Sequence, residues 1–92
     1  MKTIWKFTLA LTDSQRIEMP EETEILTVQL QGETIQLWAV VDLHEPAKTE
    51  MRTFEIHGTG NPISDGMREY IGTFQQPPFV WHVFERVSVA RK

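Results

Sequence analysis

Three histidines, His44, His57 and His82, are the first residues in this chain with the means to do chemistry. With Asp65 or Glu55 they supply enough donors for a metal ion, if the strands carrying His57 and His82 run side by side. No pair of them has a metal-ligand spacing, and cysteine is absent, so no metal centre is expected. The plainer reading is a surface ring at His44 and hydrogen-bonded strand rings at His57 and His82. Nucleophilic catalysis has no better support. Ser14, Ser64 and Ser88 stand outside any Gly-x-Ser-x-Gly context. Glu55, Asp65, Glu69 and Glu85 are candidates for an acid–base pair. Thirteen acidic residues in a short chain make such coincidences common, and a solvated face explains them. The expectation is a binding protein, not an enzyme, with no catalytic residue and no cofactor.

Binding has a more specific signal. "FEIHGTGNPISDG", residues 54–66, runs from an alternating strand into a glycine-rich loop. Gly58 and Gly60 let backbone N–H groups converge on an anionic oxygen, and Thr59 and Asn61 add side-chain donors. The loop lacks the lysine of a phosphate-binding P-loop and opens no helix. Its alternative role is a corner whose glycines take unusual φ angles. Three tryptophans, one tyrosine and five phenylalanines supply stacking surfaces. The sharpest expectation is a nucleotide-like ligand. The Gly58–Asn61 loop takes its phosphate, Arg52 or Arg68 neutralises charge, Trp38 or Trp81 packs on the base, and His57 and His82 flank the loop.

Strands must position these residues. Trp5, Phe7, Leu9 and Leu11 alternate with polar neighbours, as in a half-buried strand. "DSQ" at 13–15 is turn chemistry, followed by a short run from Arg16 to Met19. Glu24 to Gln31 alternates with Leu26, Val28 and Leu30 on one face. "QGET" at 31–34 is a hairpin signal. Ile35 to Asp42 is apolar on both faces and reads as a central strand with both faces covered. A polar loop follows, then Met51 to His57 with Phe54 and Ile56 inward. Residues 64–70 have room for one turn of helix. Glu69 to Phe74 and Phe79 to Glu85 are strands joined by a turn at "QQPP", and both faces of the last strand are rich in aromatics. The fold expected is all-β, a small antiparallel sandwich or barrel of six or seven short strands. Residues 1–86 form a single domain, and 87–92 a weakly anchored tail.

Composition sets the bounds. Ninety-two residues make one domain with a modest core, and so small a core is often extended by self-association. A homo-oligomer, most simply a dimer, is expected. The net charge of −4 argues against general nucleic-acid binding, which needs clustered Lys and Arg. The N-terminal segment alternates instead of forming an apolar signal core, and no run is long enough to span a membrane. The absence of cysteine suits a cytoplasmic protein.

The segments "GTGNPI" and "FVWHVFE", with "IWKF", "IEMP" and "LWAVVD" before them, resemble a family of short proteins of tailed bacteriophages and prophages. The resemblance covers about residues 1 to 85. That family is itself of unknown function, and its members often carry His where Asn61 stands here. The resemblance implies an accessory protein in the cytoplasm of the bacterial host. Such proteins commonly block a host antiviral defence component, either by sequestering a nucleotide-derived immune signal or by binding a host protein directly. A virion or morphogenesis role is the alternative.

Overall fold

Alternation of apolar and polar residues carries through most of the chain, and the strands follow it. The computed structural model describes residues 1–87. Its strands are β1 (Lys2–Leu9), β2 (Ser14–Pro20), β3 (Glu24–Gln31), β4 (Thr34–Asp42), β5 (Thr49–Gly58), β6 (Arg68–Gln76) and β7 (Phe79–Arg86). They form a three-stranded sheet, β1-β4-β3, and a four-stranded sheet, β2-β5-β7-β6, with every pairing antiparallel. The architecture is a small all-β sandwich. No helix is long and apolar enough to cross a membrane among these residues.

The core lies between the sheets. Leu9, Val28, Ile35 and Leu37 from one sheet meet Met19, Phe54, Ile56, Phe74 and Val83 from the other. The sheets close tightly along β3 and β6. There a β-carbon on Gly72 would sit 3.0 Å from Val28 Cγ1, so only glycine lets the strands approach this far. Both of these strands carry a register shift, at Leu26 and at Ile71.

Two hairpins are as the turn residues predict. Gly32, with φ 62°, is the first central residue of the two-residue β3–β4 turn, where a primed turn requires positive φ. Pro77 and Pro78 form the β6–β7 turn, with Gln76 paired to Phe79.

Several expectations are corrected. Residues 14–20 form a full strand, because Gln15, Ile17 and Met19 alternate with exposed Ser14, Arg16 and Glu18. The first strand stops at Leu9, leaving Leu11 exposed beyond it. The bulge at Leu26 breaks the expected Leu26–Val28–Leu30 face, so Ile25 pairs on the inner side and Leu26 is exposed. No helical turn forms at 64–70; the loop runs irregularly to Met67 and β6 begins at Arg68. β4 is central, and it buries Ile35, Leu37, Ala39 and Val41. Its other face, with Trp38 and Val40, is only half-buried. Of the expected tail, Val87 donates its N–H to the Met67 carbonyl, and the remainder lies outside the described residues.

Candidate functional site

Period-two alternation on β5 sends Phe54 and Ile56 into the core and Glu55 and His57 to the opposite side. On β7 the same rule turns Val83 inward and His82, Phe84 and Arg86 outward. The register places His57 beside His82 and Glu55 beside Phe84. The Ile71 bulge shifts β6 so that Tyr70 pairs with Phe84 and Thr73 with His82, both facing out. Arg68 stands beside Arg86 at one end of this face. The outer face of the four-stranded sheet therefore gathers most of the chemistry-bearing side chains.

Glu55 is the hub. Its Oε1 accepts from His57 Nε2 at 2.8 Å and from Arg68 Nε at 3.0 Å, and its Oε2 lies 3.2 Å from Arg86 Nη1. Burial pushes this carboxyl up. The hydrogen bonds from His57 and Arg68 and the charges of Arg68 and Arg86 outweigh that cost and hold it below its usual 4.5. Arg68 also donates to the Ser64 carbonyl at 2.8 Å, which ties the end of the glycine-rich loop to the sheet.

His82 anchors a second chain of polar groups. Its Nδ1 lies 3.0 Å from Thr73 Oγ1 and its Nε2 2.7 Å from Thr59 Oγ1. The Thr73 hydroxyl in turn contacts the Tyr70 hydroxyl. Between the two polar chains runs an aromatic row. Phe84 packs edge-on against Tyr70 at 5.5 Å and against His57 at 5.9 Å. Both strand histidines thus have hydrogen-bonded rings, and His44 lies 3.4 Å from Asp42 on the surface. Among the described residues no three His, Asp or Glu side chains gather as a metal ion requires.

The glycine-rich loop turns the corner between β5 and β6. Thr59 N–H donates to the Val80 carbonyl and Asn61 N–H to the Gly58 carbonyl, so two of the amides expected to converge on an anion are spent inside the loop. Gly60 has φ 87° and needs its glycine. Gly58 has no such angle. Its constraint is contact: a β-carbon would sit 3.0 Å from the Trp81 ring and 2.9 Å from Asn61 Nδ2. Trp81 lies across Gly58 from the neighbouring strand, its indole N–H donating to Gln76 Oε1 at 3.2 Å. Thr59, Asn61, Phe79 and Trp81 line a shallow cleft of about 440 Å³ at this corner.

Eight of the ten expected ligand residues gather at two neighbouring places on the four-stranded sheet: His57, Thr59, Arg68 and His82 in the polar chains of the outer face, and Gly58, Gly60, Asn61 and Trp81 at the corner loop, where Trp81 turns to the core side. Two do not. Trp38 stands on the other sheet, beside Lys6 and Thr27. Arg52 points between the sheets, where Nε and Nη2 grip Glu85 at 2.6 and 2.9 Å and Nη1 donates to the Thr23 carbonyl. It is a structural cation. Arg86, Tyr70 and Thr73 were not expected in the site. Their signal was present as alternation with core residues, but the Ile71 bulge hides it on β6.

Comparison with curated proteins finds no match, and neither does comparison with solved structures. One family model, described as a domain of unknown function (DUF7352), matches residues 1–92. The match takes in all seven strands and the polar face they carry, and the chain belongs to that family.

Proposed function

We propose that this is a non-catalytic binding protein whose outer four-stranded face receives an anionic partner. In the phage setting that the sequence resemblance implies, the partner belongs to a host antiviral defence, and the most concrete candidate is a nucleotide-derived immune signal held out of circulation. One observation carries the reading. The chain has a net charge of −4, yet the strands of this face present Arg16, Arg68 and Arg86 with His57 and His82 against only Glu18 and Glu55. Concentrating cations on one face of an acidic protein is what anion capture demands. The Tyr70–Phe84 pair offers a stacking surface within reach of those cations.

The face is broad, and its aromatic and arginine content is also that of a protein-binding hot spot. Exposed Tyr70 and Met67 favour this second reading, direct binding of an acidic host protein. Mass spectrometry of small molecules released on denaturing the purified protein tests the first. A phosphorylated nucleotide, lost in Arg68→Ala, supports it. Its absence, with capture of a host protein that Tyr70→Ala abolishes, favours the second. If the protein takes up neither, and its gene product is found in the virion, the reading is overturned in favour of a morphogenesis role.

The protein is expected to act as a homodimer. The outer face of the three-stranded sheet, with half-buried Trp38 and Val40 beside exposed Ile4, is the surface for it. Light scattering that returns only the 10.7 kDa monomer mass at micromolar concentration refutes this.

A further inference from the structure

The two sheets are sealed along β3 and β6 but part at the start of β1 and the end of β2, beyond core residues Leu9 and Met19. On that open side Trp5 points toward the interior, on the same face as Phe7 and Leu9 and paired with fully buried Ala39. An inward tryptophan in a finished sandwich is covered. Trp5 is 41% exposed. It forms one wall of a groove of about 700 Å³, closed on the other sides by β2 residues Glu18 and Pro20 and by the 42–49 loop. The volume falls in the range of ligand sites, and Pro20, Leu43, Pro46 and Ala47 make the lining largely apolar.

The rim is acidic. Glu18, Glu21, Asp42 and Glu45 border the groove, against Lys48 and His44. Glu18 accepts from the Thr49 hydroxyl, and Asp42 already holds one ammonium, that of Met1, at 3.1 Å. Glu21 and Glu45 form no ion pair with any of the described residues. An exposed indole face ringed by carboxylates attracts a cation through the ring quadrupole and through charge together.

We infer that the open side of the sandwich at Trp5 is a second binding site, for a lysine- or arginine-bearing segment of a protein partner. The basic side chain lies over the Trp5 indole and between Glu21 and Glu45, and an apolar neighbour in the segment enters the groove beside Leu43. This site shares only Glu18, at the β2 edge, with the cationic outer face and takes the opposite charge, so its test, which leaves Glu18 in place, does not depend on that reading.

The test is a nuclear magnetic resonance titration of the labelled full chain with a blocked nonapeptide alternating Lys and Leu. A peptide with Glu in place of Lys is the control. Shifts confined to the Trp5 indole N–H and residues 18–21 and 42–49 are expected, with the Lys peptide only. Glu21→Gln with Glu45→Gln, both at exposed turn or loop positions, should weaken it roughly fivefold per charge removed. Equal response to both peptides, shifts elsewhere, no shift at millimolar peptide, or an unchanged affinity in the double variant each overturns the inference.

Discussion

Glu55→Gln is the most discriminating perturbation of the outer face, because it separates what this carboxylate does for stability from what it does to binding. The replacement keeps the side chain's shape and one acceptor oxygen, and removes the charge that two arginines and a histidine share. The His57 and Arg68 side chains are 19% and 11% exposed, so their bonds to Glu55 are poorly screened. His57 and Arg68 both meet Oε1, so glutamine's amide oxygen keeps both bonds but without the charge, and each loses roughly half of the about 1.5–3 kcal/mol that a charged hydrogen bond is worth. The Arg86 side chain is 37% exposed, and its pairing contributes at the surface level of about 0–1 kcal/mol. The expected loss is about 2–4 kcal/mol. For a domain of this size that lowers Tm by roughly 10–25 °C and leaves the chain folded at room temperature. At the same time two arginines lose their internal counter-charge. If the face receives anions, the folded variant should bind inorganic pyrophosphate about fivefold more tightly than the parent, measured by calorimetry at 25 °C. A variant that melts with the parent shows that Glu55 holds nothing together. One that melts lower but binds pyrophosphate no better refutes the anion-receiving role of the face.

Further tests follow from the same geometry. Because the folded-state pKa of Glu55 is depressed, its stabilising contribution is complete above the unfolded value of 4.5 and is lost as pH falls through the lower folded value, so urea midpoints should hold near neutrality and drop below about pH 4.5. Arg52→Ala leaves buried Glu85 unpaired and should cost about 3–5 kcal/mol by chemical denaturation. Gly58→Ala drives a methyl against the Trp81 ring and should cost about 1–3 kcal/mol, with a change in tryptophan emission. Trp38→Ala should cost well under the ~3–5 kcal/mol of a fully buried aromatic, since one side of the ring faces out, and should shift a dimer toward monomer.

Much of the architecture was legible because alternation is a local property. Ile35 to Asp42 identifies itself as central by its double apolar pattern, and Gly32 marks its hairpin. β2 was half-hidden because Ser14 and Gln15 are turn residues by type, although Gln15 is the inward partner of Phe54. The bulges at Leu26 and Ile71 were illegible, since an inserted residue changes which side chains share a face without changing composition. The site divides the same way. His57, His82 and the 58–61 loop stand out by residue type. Whether an arginine is free or spent depends on a carboxylate far along the chain: Arg52 meets Glu85 and Arg68 meets Glu55 only after the strands pair. Trp38 has the right chemistry for a stacking platform, but it stands on the other sheet, and no spacing rule assigns a strand to one sheet of a sandwich.

The one-sided closure of the sandwich has a mechanical meaning. β3 and β6 act as the spine of a book, fastened where Val28 lies on Gly72, and β1 and β2 are its free margins. β1 hydrogen-bonds to β4 on one side only, and Ile4 and Trp5 leave its first half exposed on both faces. Amide protons of β1 should therefore exchange with solvent well before those of β4, β5 and β7, through partial openings that leave the spine intact. A molecule gripping both margins would clamp the book shut. Its binding would be read most clearly in slowed exchange along β1, far from the strands that hold the core.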